Sequence, residues 1–290
     1  MVLRSRIASV LTVAGLLCAL SVHHSSAQPS ANDRRPIGVA FGGGSARGFA
    51  HIGVIRWFEE HHIPIDLVAG TSMGALVGGA YAAGMSAAEL TRLTTHTDWN
   101  EMFGASPYRY KSVRRKQDAR AYPSQLEFYL KRGFALPSAL NNGQEVDNLV
   151  AGIGAIYGDL RSFDSLPTPF RCVAVDLLTA KPVVLDSGSL PRAMRASMSL
   201  PGIFPPIELG PYLLVDGGAM NNVPADVVPD MGAAGVIAVN VGSMEDERNV
   251  SKSVFGLVNS TMGAMMLAST RRGMAAADIV INPDLEGFSS

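Results

Sequence analysis

Cysteine is nearly absent from this 290-residue chain, which has two, at positions 18 and 172. A disulfide framework is therefore excluded, and stability must come from packing. Charge is scarce too. Charged residues make up 17% of the chain and almost cancel, to a net −1, so the basic balance of a nucleic-acid binder is missing and no nucleic-acid partner is expected. Histidine stops early, with none after His96. Beyond the first 20 residues no apolar run approaches the roughly 20 residues of a membrane-spanning helix. What is plentiful is apolar content. At 47% hydrophobic residues the chain is no disordered polymer, and its length suits one large α/β domain.

The N-terminus carries its own pattern. Arg4 and Arg6 precede an uncharged apolar stretch, 7–20, and Ser25-Ser26-Ala27 supplies small residues before Gln28. That order predicts a secretory signal peptide over 1–27 and an exported protein, periplasmic or secreted, with membrane association left open. Losing Arg4 and Arg6 moves the net charge from −1 to −3 and leaves Cys172 as the one cysteine. Residues 28–35 read as a polar lead-in, 36–283 as the folded domain and 284–290 as a tail.

Within 36–283 short β-branched runs alternate with longer helical windows. The predicted strands are 37–41, 65–69, 170–176, 212–215, 235–241 and 278–281; the predicted helices are 46–61, 73–84, 144–157, 223–231 and 254–274. Strand and helix in this rhythm imply a mostly parallel sheet covered on both faces. No linker and no fixed-period repeat divides the region.

Two strand-to-helix turns carry chemistry. The first strand runs into Gly42-Gly43-Gly44-Ser45-Ala46-Arg47-Gly48, a loop whose bare N–H groups could approach an anion. A P-loop would end in Gly-Lys-Ser/Thr, and a dinucleotide site would want an acid where Ala69 and Gly70 stand. An oxyanion site and a plain structural turn remain. The second turn, Gly70-Thr71-Ser72-Met73-Gly74, is Gly-x-Ser-x-Gly between an apolar strand and a small-residue helix. That is the context in which a strained backbone presents a serine nucleophile beside a helix N-terminus.

A serine nucleophile needs a base. The order serine, acid, histidine is impossible here, because the four histidines after the leader are His51, His61, His62 and His96. His61 and His62 suit a helix C-terminus, and His51 and His96 have no stronger claim. Carboxylates fit better. Asp216 ends an apolar strand before Gly217 and Gly218, and Asp176 ends another; either could instead cap a turn. A free Asp has a pKa of about 3.9, so a base must be raised by burial or hold its hydroxyl closely.

These motifs, in this order, resemble the patatin-like phospholipases, most closely the bacterial and neuropathy-target-esterase-like branch. The block Ala196-Ser197-Met198-Ser199-Leu200-Pro201-Gly202-Ile203-Phe204-Pro205-Pro206 is similar too, and the resemblance covers nearly all of 36–283. It implies a three-layer α/β/α fold and a patatin-like catalytic domain over 36–283. It also implies a Ser-Asp dyad of Ser72 and Asp216, and an oxyanion hole in the glycine loop, for which Gly43 and Gly44 are the expected donors. Gly42, Arg47, Gly48, Gly70, Gly74, Gly217 and Gly218 support the motifs, and no metal or cofactor is expected. The implied activity is hydrolysis of acyl esters, as phospholipase A, lysophospholipase or esterase. The alternatives are a weakly active lipid-binding member of the same fold and an acyltransferase.

Substrate reading rests on a different segment. Residues 99–134 gather Trp99, Phe103, Tyr108, Tyr110, Tyr122, Phe128, Tyr129 and Phe134 with Lys111, Arg114, Arg115, Lys116 and Arg120. The mixture suits peripheral membrane contact or a locally packed subdomain equally. Met262, Met265, Met266 and Met274, at helical spacing, read as core filling.

Overall fold

The structure is a computed structural model and describes residues 34–99, 102, 141–242 and 254–287. The predicted leader and nearly all of the aromatic-basic segment 99–134 lie outside the described residues. The chain divides into Met1–Arg35 and Pro36–Ser290, and the second unit holds all the strands and helices named here.

Among the described residues eight strands form one mixed sheet: β1 (Ile37–Phe41), β2 (Leu67–Thr71), β3 (Phe170–Asp176), β4 (Lys181–Leu185), β5 (Ile207–Leu209), β6 (Tyr212–Asp216), β7 (Gly235–Val239) and β8 (Ile279–Ile281). The parallel part runs β3-β2-β1-β7-β8, and β4, β5 and β6 are antiparallel additions. Alternation along the strands sorts two cores. Val39, Phe41, Val68, Phe170, Cys172, Ala174 and Val239 face one side; Ala40, Ala69, Val173, Val236 and Ala238 face the other. The first side is packed by α1 (Ala50–Glu60), α2 (Met73–Ala82), α3 (Ala87–His96), α4 (Gln144–Gly154) and α5 (Leu190–Ser197). Small residues line the second, so Val223, Ala225, Val227 and Val228 approach closely, backed by α6 (Gly218–Asn221) and α7 (Val254–Ala275). The result is the expected three layers, helix, sheet and helix.

Local sequence explains most elements. α2 is buried along all but one position, which its small residues allow; Gly79, for example, sits where a Cβ would fall 2.6 Å from Met194 Sδ. α3 is opened by a capping box, Ser86 with Glu89. α5 begins after Ser189, whose hydroxyl accepts from Arg192 N–H, with proline at its start. The predicted helix over 223–231 does not form. Pro224 and Pro229 remove two backbone donors there, and turns with a short 3-10 piece, Pro229–Met231, take its place. Among the described residues no helix is long and apolar enough to cross a membrane.

One detail of register positions the site. Val173 of β3 pairs with Thr71 of β2 and with Val184 of β4, so β2 and β4 occupy opposite edges of β3. The next residue, Ala174, pairs with Asp216 of β6 and with Val183 of β4. β6 therefore takes over the same edge of β3 where β2 leaves it. The two strands run toward each other along that edge, and their last residues meet end to end.

Candidate active site

Ser72 stands at the end of β2, where the chain turns into α2. Its backbone has φ 55° and ψ −123°, a positive-φ conformation that costs a residue with a side chain about 1–3 kcal/mol. The strain is tolerated because neighbours lock the turn. Ser72 N–H donates to Ser197 Oγ at 2.9 Å, and that hydroxyl donates to Val173 O at 2.6 Å. Thr71 Oγ1 donates to Asn221 O at 2.8 Å. Gly70 and Gly74 lie back to back, and Gly74 packs on the backbone of Phe41 and Gly42, so neither has room for a Cβ.

Asp216 reaches the same point from β6. Its N–H donates to Ser199 O at 3.0 Å, and its Oδ1 accepts from Gly218 N–H at 2.8 Å. The residue is 1% exposed. Burial pushes its pKa from 3.8 up to about 6, while hydrogen bonds from the Ser72 hydroxyl and the Gly218 N–H pull the other way. Oδ2 is buried and has no other hydrogen-bond partner among the described residues. Gly217 packs against Val173 O and Thr71, which keeps the two strand ends together.

The glycine loop closes over Ser72. A Cβ on Gly43 would fall 3.1 Å from Ser72 Cβ and 2.5 Å from Asn222 Oδ1, so glycine is required by close approach. Nearly every polar group of its first two residues is engaged. Gly42 N–H donates to Val239 O and Gly43 N–H to Asn222 O, both at 3.0 Å. Gly42 O lies 2.7 Å from His51 Nε2, and Gly43 O accepts from Asn222 Nδ2 at 3.2 Å. Of the expected donor pair, Gly43 N–H is taken by Asn222 O, whereas Gly44 and Ser45 donate to nothing among the described residues. Ser45 has φ 49°, and the 3-10 turn Ser45–Phe49 that it opens leaves its first N–H groups open. Arg47 N–H closes on Gly44 O at 3.1 Å, and the Arg47 Nε is buried without a partner. Gly48 packs directly against Met73.

The rival residues are elsewhere employed. Asp176 Oδ1 accepts from Leu178 N–H and Leu213 N–H, and Oδ2 accepts from Thr179 N–H and the Thr179 hydroxyl. The Thr179 hydroxyl above all holds its pKa below the usual carboxylate value. His61 stacks on Trp57, and His96 Nδ1 meets Arg92 O. His51 is fully buried with its pKa lowered to about 4 by desolvation, so it is neutral and holds the loop through Gly42 O. Among the described residues no group of three or more His, Cys, Asp or Glu could hold a metal ion.

Three positioning groups escape a reading by motif alone: His51, Ser197 and Asn222. Asn222 is 1% exposed and ties both proposed halves together. Its N–H donates to Ser269 Oγ at 2.7 Å and its amide to Thr270 Oγ1 at 2.8 Å, while Ser269 Oγ donates to Gly218 O at 2.8 Å. Thus α7 anchors the Asp216 turn through Ser269 and the glycine loop through Thr270 and the Asn222 amide. A polar residue in the small, apolar stretch before Val223 and Pro224 was the available signal. Met266 of α7 also reaches Gly218, whereas Met265 points largely to solvent at 43% exposure.

Known proteins share this arrangement of sequence. A family model described as patatin-like phospholipase matches residues 39–229. "Patatin-like phospholipase domain-containing protein 6" of Mus musculus is 34% identical over 217 residues, which is 74% of this chain and 14% of that protein. "Lysophospholipase NTE1" of Debaryomyces hansenii is 33% identical over 72% of this chain and 12% of its own length. An uncharacterized NTE family protein of Mycobacterium tuberculosis is 34% identical over 67% of this chain and 28% of its own length. The chain thus spans a small part of the curated relatives it matches.

Proposed function

The chain belongs to the patatin-like phospholipase family, and from that premise we propose that it is a serine lipid acyl hydrolase in which Ser72 is the nucleophile and Asp216 the base. The observation that carries the reading is the end-to-end meeting of β2 and β6 on one edge of β3. It brings a strained serine to a buried carboxyl of raised pKa.

In this mechanism ionised Asp216 takes the Ser72 proton as Oγ attacks the ester carbonyl. The negative charge on the carbonyl oxygen is met by Gly44 and Ser45 N–H, each such donor typically supplying on the order of 3 kcal/mol. Asp216 then passes its proton to the departing alcohol, leaving an acyl group on Ser72. Water, deprotonated by the same carboxylate, attacks that ester; the acid leaves and Ser72 regains its proton. The loop must not shift during this cycle, which is what the contacts of His51 with Gly42 O and of Asn222 with Gly43 provide.

Phospholipids, lysophospholipids or simple acyl esters are the proposed substrates, consistent with the names of the family and of the fungal relative. Export through residues 1–27, to a periplasmic or secreted location, is part of the same proposal and rests on their charge and apolar pattern. The experiment is product analysis on defined glycerophospholipids and a short p-nitrophenyl ester. The parent releases fatty acid or p-nitrophenol, and Ser72→Ala abolishes release. A Ser72→Ala protein as active as the parent refutes the assignment, and loss of activity in Asp176→Asn but not Asp216→Asn reverses that of the base.

A further inference from the structure

β3 and β6 do not stop at the site. They continue past it as a paired wall on the side where the parallel strands end. Ala174 pairs with Asp216, Asp176 with Leu214, and Leu177 N–H donates to Leu213 O at 2.9 Å. Leu177 and Leu178 thus cap the wall opposite Leu213 and Tyr212, about 10 Å beyond the Asp216 level at ~3.3 Å per residue. Here the molecule exposes large apolar side chains together: Leu177 is 52% exposed, Leu178 68% and Tyr212 39%.

The turn that presents them is fixed. Asp176, 1% exposed, uses both carboxylate oxygens on four donors of the turn and of β6, and Ala180 N–H closes on Asp176 O at 2.8 Å. Ala180 has φ 53°, a conformation disfavoured for alanine that the surrounding bonds hold in place. A buried acid thus organises a rigid turn that holds two leucines in water. Leucines held in water gain no burial in the isolated chain, and their exposure side by side suits a contact surface. The exposed charge on the turn is Lys181, because the Asp176 charge faces inward. An apolar tip flanked by a cation fits a phospholipid surface, with leucine among the acyl chains and lysine at the phosphates.

We propose that Leu177 and Leu178, with Tyr212 beside them, form the tip by which the protein seats on a lipid surface, holding the Ser72 side of the sheet toward its substrate. The inference rests on the lipid-hydrolase reading for its purpose, but its test reads binding separately from hydrolysis. Full-length parent and the L177S/L178S protein are sedimented with vesicles of phosphatidylcholine, with and without one-third phosphatidylglycerol, and assayed on a soluble p-nitrophenyl ester. The double variant should bind vesicles about tenfold or more weakly, since the two leucines supply most of the buried apolar area. It should hydrolyse the soluble ester like the parent. Equal vesicle binding by both proteins overturns the proposal, whether or not either hydrolyses anything. Parent protein that binds as proposed but hydrolyses no ester keeps the tip and defeats the function. Leu178→Trp covers the case of a misfolded double variant: its emission should shift blue on adding vesicles, and an unmoved emission is a refutation. A change of oligomeric state in L177S/L178S with vesicle binding intact makes the tip a contact between copies and also overturns the proposal.

Discussion

Replacing the buried acid should make the protein inactive and more stable at once. In the folded chain Asp216 ionises at about 6 instead of 3.8, chiefly because burial disfavours the charged form. A shift of about 2 units corresponds to ~3 kcal/mol, at 1.36 kcal/mol per unit. The sign comes from linkage. Between pH 3.8 and 6 the folded carboxyl keeps its proton while the unfolded one has lost it. The contribution of Asp216 to stability is therefore greatest below 3.8 and falls as pH rises to about 6; above that the full cost persists. Asp216→Asn has no charge to bury and keeps an oxygen for the Gly218 N–H, at the expense of an imperfectly paired amide. A net gain of about 2 kcal/mol at pH 8 is expected, or ~4–8 °C in Tm for a domain of this size. Thermal melts of parent and variant at pH 4, 6 and 8 read it directly. The gap should be near zero at pH 4, grow through pH 6 and level off. A gap that does not depend on pH, or an asparagine variant less stable than the parent at pH 8, refutes the reasoning.

The same contacts set two further outcomes. On a neutral soluble ester, kcat/KM should rise with pH along a limb centred near 6, the pKa of Asp216, and stay flat above it. His51, at about 4, is neutral over that whole range, so a limb near 4 contradicts the assignment of the base. Ser197→Ala removes the acceptor for Ser72 N–H and the donor to Val173 O. It should cost about 2–4 kcal/mol in urea unfolding and lower kcat with little change in KM; unchanged stability and kcat refute the bracing role.

Much of this site was readable before any geometry. Gly-x-Ser-x-Gly between a strand and a small-residue helix located the turn, and Asp216 before two glycines located the acid proposed as its partner, because both patterns encode backbone requirements. What pattern does not encode is direction. β6 looks like any apolar strand, and only its antiparallel pairing on the edge vacated by β2 explains why residues 72 and 216 meet. Nor does a glycine's freedom say which neighbour takes its N–H: Asn222 O takes that of Gly43, which is why Ser45 joins Gly44 as a proposed oxyanion donor. β4, β5, α3, α5 and α6 were missed. β4 is largely exposed, β5 and α6 are three and four residues long, α3 is polar, and α5 starts with a proline that reads as a break. The opposite error, a helix over 223–231, came from apolar spacing that overrode two prolines.

Covalent labelling tests the central claim most directly. Parent, Ser72→Ala and Asp216→Asn proteins are treated with a fluorophosphonate at pH 8, and the adduct is located by mass spectrometry. The account predicts one adduct, on Ser72, absent from Ser72→Ala and formed far more slowly in Asp216→Asn. A parent that stays unlabelled, or carries its adduct on another residue, contradicts it.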